Sequence, residues 1–391
     1  MRSGRSIWQD LITAEEAAAL DSPRPAERDQ RPDILVIGGG MLGLAAAVTC
    51  ARAGLGHVTV VEQGSLGAGA SGGAAGLLIP DAHHGTDPAP FVALGRASLA
   101  AWRRLDASWP GGVGLVPLDW LGLEPFPADF AADLPPTARR LTVDEVHRLV
   151  PDLAAPFPGL LLADQARVNP LRALARLAGQ LVADAGAVLT GVKALDVVLS
   201  GDRVLSVATS GGDLSPGAVV FATGAPPELP HLPLELTGQM IKGHLLATEP
   251  TSVRSPGAVE PFATQLENGC LLSGGTLDVG DFTPHVRDEV VSEIRAALDS
   301  AFPVFRDVPT SHSWCCFRPV LADRLPVIDR VPGLVNAWVT CGHFRTGILM
   351  APAAGHLLAK WIAEDAAPEA ARPFRIERDG LRAPASTEGQ G

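Results

Sequence analysis

A glycine-rich turn between two apolar runs is the first segment of this sequence whose residues could do chemistry. It reads Gly-x-Gly-x-x-Gly at Gly38, Gly40 and Gly43. In this pattern the first glycine permits a tight turn, the second lets the backbone approach a pyrophosphate, and the third lets a helix pack closely on a strand. The start of the following helix, near Met41, then offers N–H donors and a positive dipole end to phosphate groups.

The elements around this turn are those that a dinucleotide site requires. A strand is predicted at 33–37, a helix at 44–53 and a second strand at 57–61, and Glu62 stands at the end of the second strand. A carboxylate there accepts hydrogen bonds from an adenosine ribose and disfavours a 2′-phosphate. The sequence therefore predicts a dinucleotide-binding βαβ unit, which by itself leaves FAD and NAD open.

Three further segments resemble the D-amino acid oxidase superfamily of FAD-dependent enzymes. Residues 69–78, rich in Gly, Ala and Ser, are similar to its flavin-facing loop and are called the flavin loop here. Thr223-Gly224 resembles its second FAD contact, and residues 342–352 closely resemble the glycine oxidase (ThiO-type) branch. The resemblance implies FAD as cofactor. The residues expected to hold it are Gly38, Gly40, Met41, Gly43, Glu62, Gln63, Ala70, Ser71, Ala74, Ala75, Gly76, Leu77, Thr223, Gly224, Cys316, Gly342, His343, Thr346, Gly347 and Ile348.

The same resemblance places substrate-side residues. Arg318 and Arg345 match two arginines expected to bind a substrate carboxylate, because a guanidinium can grip a carboxylate with two hydrogen bonds. A structural ion pair is the alternative for each. Phe262 takes the position where glycine oxidases carry a substrate-contacting tyrosine, and this chain has no tyrosine at all. The lost hydroxyl puts glycine itself in doubt as the substrate, and a core role for Phe262 stays open.

A helix is expected to begin at Thr346-Gly347-Ile348, where its N–H groups and dipole could stabilise negative charge on a reduced flavin. A plain capped helix start is the alternative. His343 is expected near the flavin as a packing or hydrogen-bonding group rather than as a base. The sequence does not decide the roles of three other histidines, which are His83, His84 and His244.

Cys316 raises the question of a covalent cofactor. Sarcosine oxidases, a sister branch, attach the flavin through a cysteine two residues before the position that is Arg318 here. The resemblance therefore gives a prediction of covalent attachment through Cys316. The glycine-oxidase-like C-terminal motif favours non-covalent FAD, and a small buried cysteine is also a common core residue.

The resemblance implies an α/β fold: a Rossmann-like FAD-binding domain, interleaved with a substrate domain that contains a large antiparallel or mixed sheet. The expected FAD-binding domain consists of residues 33–82, 160–230 and 310–365, and the substrate domain of residues 83–159 and 231–309. An N-terminal extension at 1–32 and a C-terminal tail at 366–391 flank them. Strands near 193–199, 203–209 and 217–223 are predicted to form a meander.

Composition limits the partners. The net charge is −12 with no Lys/Arg run, which argues against a nucleic-acid partner and against docking on anionic lipid. No stretch of about 18 apolar residues predicts a membrane helix. Five cysteines without a regular framework and no secretory signal predict a reducing, cytoplasmic location. No metal site is predicted, and the sequence leaves a homo-oligomer open.

The expected reaction is oxidation of the C–N bond of an amino acid or related small amine to an imine, with dioxygen reduced to hydrogen peroxide. In such enzymes the cofactor carries the electron chemistry, and the protein orients the substrate. Two alternatives remain. One is a flavin dehydrogenase that passes electrons to another acceptor, and the other is a flavoprotein that serves as a non-catalytic interaction module.

Overall fold

A computed structural model describes residues 1–21, 29–84, 86–123, 138–252, 257–260, 263–378 and 381. The α-helices in these ranges are α1 (Ala14–Asp21), α2 (Met41–Arg52), α3 (Ala70–Gly73), α4 (Ala89–Ser108), α5 (Val143–Leu149), α6 (Pro170–Ala183), α7 (Asp288–Ala301) and α8 (Gly347–Glu364). None of these helices is both long enough and apolar enough to cross a membrane.

The strands in the same ranges are numbered in chain order. They are β1 (Arg2–Ser3), β2 (Ile34–Ile37), β3 (Val58–Glu62), β4 (Leu77–Leu78), β5 (Leu115–Leu123), β6 (Ala138–Leu141), β7 (Gly159–Val168), β8 (Ala187–Thr190), β9 (Ala194–Ser200), β10 (Arg203–Thr209), β11 (Ala218–Gly224), β12 (Gly238–Thr248), β13 (Ala258–Glu260), β14 (Ala263–Gln265), β15 (Leu271–Gly274), β16 (Thr310–Leu321), β17 (Val327–Arg330) and β18 (Ala337–Cys341).

The chain divides into two compact units, each assembled from three segments. Unit 1 consists of Met1–Leu11, Gly73–Asn169 and Ile241–Phe317. Unit 2 consists of Ile12–Gly72, Pro170–Met240 and Arg318–Gly391. The expected α/β class with two interleaved parts is confirmed.

Unit 2 contains a six-stranded sheet in the order β17-β18-β11-β2-β3-β8. All neighbours are parallel except β17, which is antiparallel to β18. The predicted βαβ unit is present as β2, α2 and β3, with Ile37 opposite Val61. Every residue of β2 is buried, as a central parallel strand requires when both faces of the sheet are covered.

The predicted three-stranded meander is wrong. Strands β9 and β10 pair with each other in a separate two-stranded sheet, whereas β11 lies between β2 and β18 in the parallel sheet. The reason lies in the side chains. Five consecutive residues of β11 are buried, whereas in β9 only Val197 is buried and Leu195, Val198 and Ser200 are exposed.

Unit 1 is built on a ten-stranded mixed sheet in the order β1-β16-β12-β15-β14-β13-β5-β7-β4, and β6 also pairs with β7. Most pairs are antiparallel, while β1–β16 and β5–β13 are parallel. Helix α7 buries one apolar face, through Ile294 and Leu298, in a hydrophobic core of unit 1 that also contains Phe302 and Phe305. This is the large mixed sheet that was expected.

The limits of the units differ from the expected domain limits. Residues 73–82 and 160–169 fall in unit 1, because β4 pairs with β7, with Leu77 opposite Arg167, in the mixed sheet. Residues 310–317 also fall in unit 1, within strand β16. The assignment of unit 2 to FAD and of unit 1 to substrate stays a prediction.

The predicted C-terminal tail is wrong for residues 366–378. Phe374 and Ile376 are buried, and Ile376 belongs to the hydrophobic core of unit 2. The Ile376 N–H donates to Asp329 Oδ2 at 2.7 Å, and Arg378 Nε donates to Asp323 Oδ2 at 2.5 Å. In the sequence, Phe374 and Ile376 alternate with charged residues, which conceals their docking.

Candidate active site

The glycine turn after β2 has the geometry of a phosphate cradle. Gly38 has φ of 114°, which disfavours any residue with a Cβ. A Cβ at Gly43 would overlap the carbonyl oxygen of Gly38, so only glycine lets α2 pack this closely on the turn. At Gly40 the nearest atom to an added Cβ is Ser71 Oγ, at 3.4 Å. The protein therefore does not fill the space in front of Gly40, where a pyrophosphate would lie.

Glu62 ends β3 beside this turn. Its Oε2 accepts the Gly39 N–H at 2.8 Å, and its Oε1 accepts the Gly64 N–H at 2.9 Å. A carboxylate offers about four lone-pair positions, so each oxygen keeps capacity for a ribose hydroxyl. The two backbone bonds fix the carboxylate where the sequence predicts a ribose contact. Gln63, the next residue, is exposed.

The first part of the flavin loop folds onto the start of α2. Ser71 Oγ accepts the Met41 N–H at 3.1 Å. Residues Ala70–Gly73 form the single turn of α3, and the Gly72 N–H donates to Gly67 O at 3.1 Å. Ser71 and Met41, both predicted cofactor residues, are thus brought together within unit 2.

The second part of the flavin loop is anchored within unit 1. Trp8 Nε1 donates to the carbonyl oxygen of Ala74 at 2.8 Å, and Trp314 Nε1 donates to that of Gly73 at 2.9 Å. The Gly76 carbonyl accepts a backbone N–H from β7 at 3.0 Å. Sequence reasoning missed both tryptophans, because an isolated tryptophan carries no motif.

Cys316 packs against the same loop. It is buried on β16, and a Cβ added to Gly73 would lie 2.5 Å from the Cys316 Cβ. The glycine at position 73 therefore makes room for the cysteine side chain. Burial raises the pKa of the neighbouring thiol, Cys315. Covalent attachment of FAD through Cys316 stays a prediction.

Further predicted contacts gather at the carboxyl ends of parallel strands in unit 2, the edge at which open α/β sheets bind ligands. Thr223 and Gly224 end β11, and the Gly342 N–H donates to Gly224 O at 2.8 Å. A Cβ at Gly38 would overlap the carbonyl oxygen of Ala222. The end of β11 therefore contacts both the segment after β2 and the segment after β18.

His343 follows Gly342 and is fully enclosed. Its Nε2 lies 2.8 Å from Thr340 Oγ1, and its carbonyl oxygen accepts the Thr346 hydroxyl at 2.9 Å. Burial lowers the pKa of His343 to about 3, so the ring is neutral at neutral pH. Its Nδ1 has no hydrogen-bond partner among the described residues. A neutral, enclosed imidazole matches the predicted packing or hydrogen-bonding role and not that of a base.

The two predicted substrate arginines lie in adjoining segments of unit 2. Arg318 is half-buried on β16, and the next residue, Pro319, accepts the Phe344 N–H at its carbonyl oxygen at 2.8 Å. Arg345 is exposed just before α8, with its guanidinium 5.6 Å from the centre of the Phe344 ring. Phe262, the third predicted substrate residue, lies outside the described residues.

Two buried side chains on β12 of unit 1, His244 and Lys242, have structural partners. His244 Nδ1 lies 2.7 Å from Asp278 Oδ2, and His244 Nε2 accepts the Arg287 N–H at 3.1 Å, so neither nitrogen is free to act as a base. Lys242 is completely buried, and its ammonium binds Asp281 at 2.8 Å. This hydrogen bond holds the pKa of Asp281 below its usual range. A lysine within a run of buried strand residues was the overlooked signal.

Comparison with known proteins decides the family. Residues 33–361 match the DAO family, described as FAD dependent oxidoreductase. The chain belongs to this family. It is 30% identical over 346 residues to a glycine oxidase of Pseudomonas aeruginosa, covering 83% of this chain and 93% of that protein. It is 25% identical to a solved glycine oxidase of Geobacillus kaustophilus, with a TM-score of 0.80 and coverage of 89% and 99%.

This FAD-dependent oxidoreductase shares its fold with enzymes of more than one kind. An L-proline dehydrogenase from P. horikoshii matches with a TM-score of 0.77 at 18% identity, covering 91% of this chain and all of that one. An iminodiacetate oxidase from Chelativorans sp. matches with a TM-score of 0.75 at 22% identity, covering 89% and 99%. These two likenesses show the fold alone, and the fold therefore does not select the electron acceptor.

The residues of this FAD-dependent oxidoreductase suit a dinucleotide. The space before Gly40 is open, Glu62 is fixed beside it, and the α2 N-terminus faces the turn. At the other end of the expected cofactor site, α8 begins at Gly347 after Thr346.

Proposed function

We propose that this protein is a glycine oxidase-like oxidase of an amino acid or related small amine, converting the C–N bond to an imine and reducing dioxygen to hydrogen peroxide. The observation that carries the proposal is the 30% identity to a glycine oxidase across 83% of the chain. It is supported by Arg318, a half-buried arginine beside the segment that leads into α8. Bound FAD would supply the acceptor for the hydride equivalent of the substrate.

In this proposal Arg318 binds the substrate carboxylate. Its planar guanidinium offers two parallel N–H donors, so it fixes the orientation of the carboxylate as well as neutralising its charge. Arg345 is the second substrate-side arginine. Arg345 is exposed and packs on Phe344. We therefore assign it to the path by which the substrate enters, and not to a contact beside the reacting carbon.

The start of α8 and His343 set the electrostatics in the same proposal. The first turn, Gly347-Ile348, presents the positive end of the helix dipole and favours negative charge developing in front of it. His343 stays neutral, since burial lowers its pKa to about 3. It therefore contributes a hydrogen-bonding nitrogen and takes no proton from the amine.

The substrate differs from glycine in this proposal. By its resemblance to glycine oxidases, Phe262 takes the place of a substrate-contacting tyrosine, and the chain has no tyrosine to supply the lost hydroxyl. An apolar ring there favours an amine that carries a carbon substituent. The amino acid therefore bears a side chain or an N-alkyl group in addition to its carboxylate.

An anaerobic screen of amino acids and small amines tests the proposal. We expect at least one carboxylate-bearing amine to bleach the flavin absorption band, and we expect stoichiometric peroxide when air is admitted. Bleaching without peroxide in air would identify a dehydrogenase with another acceptor. A flavin that no amine reduces would identify a non-catalytic flavoprotein.

A further inference from the structure

The N-terminal segment Met1–Leu11 lies outside the residues that match the family, yet it is part of the sheet of unit 1. Strand β1 pairs in parallel with β16, with Arg2 opposite His312. The Gly4 N–H donates to the carbonyl oxygen of Ser313 at 2.8 Å. The segment thus adds an edge strand to the sheet, beside the strand that carries Trp314 and Cys316.

Polar and apolar contacts both hold this segment in place. Asp10 accepts a hydrogen bond from Arg5 at 2.9 Å and lies 3.1 Å from His312 Nε2. Between these anchors, the side chains of Ile7 and Trp8 are buried, with exposures of 4% and 1%. A fully buried tryptophan must find an acceptor for its N–H or lose a hydrogen bond.

The acceptor for the Trp8 N–H is a backbone carbonyl of the flavin loop. Trp8 Nε1 donates to Ala74 O, and Trp314 Nε1 donates to Gly73 O, so two successive carbonyls are held by two indoles. A peptide unit is planar and trans, and its C=O and N–H point in opposite directions. Fixing the Ala74 carbonyl toward Trp8 therefore directs the Ala75 N–H away from Trp8.

We propose that Trp8 is a positioning residue for the cofactor, acting through the peptide unit between Ala74 and Ala75. The indole N–H selects one orientation of this peptide, because the opposite orientation would leave the buried Trp8 donor unpaired. In the selected orientation the Ala75 N–H is presented to FAD. The inference rests on the proposed assignment of residues 69–78 as the flavin loop.

Trp8→Phe tests the inference, since phenylalanine keeps an aromatic ring in the buried position and removes the donor. FAD titrated into the apoprotein, followed by quenching of flavin fluorescence, gives the dissociation constant. We expect FAD to bind about 2- to 10-fold more weakly, the range for one lost hydrogen bond. We also expect a shifted absorption envelope of the bound flavin, which a merely structural tryptophan would not change.

Trp338→Phe is the matched control. Trp338 is a buried tryptophan of β18 in unit 2, and its indole N–H has no hydrogen-bond partner in the described part of the chain. Its replacement should leave the FAD dissociation constant and the flavin spectrum unchanged. An equal loss of affinity in both variants would show a general packing effect and would overturn the inference.

Wild-type affinity and spectrum in Trp8→Phe would also overturn it. If that variant does not fold, Asp10→Asn decides, because it leaves Trp8 intact and loosens the anchor of the segment. Weaker FAD binding in Asp10→Asn supports the inference, and unchanged binding refutes it. The titration contains no amine, so a failure of the proposed oxidase reaction leaves its outcome unaffected.

Discussion

At the scale of single residues, Arg318 carries the proposed specificity for a carboxylate. Arg318→Leu should weaken catalytic efficiency with the best amino acid by about 2–5 kcal/mol, the cost of stranding a buried charged partner. The flavin spectrum should change little. Arg318→Lys should not restore activity, because an ammonium cannot reproduce the planar fork. Steady-state kinetics of both variants, beside the surface control Arg306→Leu, measure this; unchanged efficiency in Arg318→Leu would make the residue structural.

His343 predicts how stability depends on pH. Its pKa in the folded protein is about 3, below the ordinary value of 6.5, so the unfolded chain binds a proton that the folded protein excludes. Stability is therefore lost as pH falls through 6.5 toward 3. Between pH 7 and 5 this one group removes about 2 kcal/mol. His343→Gln should remove that part of the acid sensitivity in urea unfolding of the apoprotein; an unchanged pH slope would contradict the assignment.

Cys316 decides whether the cofactor is covalent. The thiolate form of a cysteine is the nucleophile, and a lowered thiol pKa favours that form. Cys316 itself is buried against Gly73. The prediction of a thioether is tested by acid precipitation and by the intact mass of the chain. Colour in the pellet and an added FAD mass, both lost in Cys316→Ala, would establish the link. Colour wholly in the supernatant with an unmodified mass would exclude it.

At the scale of elements, the sequence predicts those helices and strands that are fixed by interactions between residues close together in the chain. The Thr-x-x-Glu spacing at Thr142 and Glu145 predicts a capping box that opens a helix. Helix α5 begins with this box: the Glu145 N–H donates to the Thr142 hydroxyl, and the Glu145 carboxylate accepts the Thr142 N–H. The βαβ unit was equally local. The position of β11 was not, because burial of five successive residues is satisfied only by neighbours distant in sequence.

Single residues differ in the same way between those with local and those with distant partners. Gly38 and Glu62 belong to a motif with a known physical reason, so sequence was sufficient to find them. Trp8, Lys242 and the docking of Phe374 depend on tertiary partners that no spacing reveals. Residues whose role is to orient a peptide or fill a core were therefore missed, while residues that define a turn were found.

The docking of the C-terminal segment gives a prediction at this scale. Phe374 is 1% exposed, and truncating such a side chain costs about 3–5 kcal/mol. Phe374→Ala should therefore lower the thermal midpoint of the apoprotein. Phe157→Ala, at a position that is 53% exposed, is the control and should leave the midpoint nearly unchanged. Equal midpoints for both variants would return residues 366–378 to the status of a loose tail.

At the scale of the whole molecule, the fold does not name the reaction. The same architecture is found in glycine oxidases and in an L-proline dehydrogenase. Function is set by the groups presented to the substrate and to the electron acceptor. In the proposed function those groups are two arginines, the start of α8 and a neutral histidine, which together would favour a carboxylate-bearing amine.

The central claim is tested most directly by mixing the purified, FAD-loaded protein with carboxylate-bearing amines without oxygen and then admitting air. The account predicts bleaching of the flavin band by at least one such amine, followed by full recovery of the band and one peroxide for each flavin reoxidised. A flavin band that none of these amines bleaches, or one that recovers in air without forming peroxide, would contradict the claim.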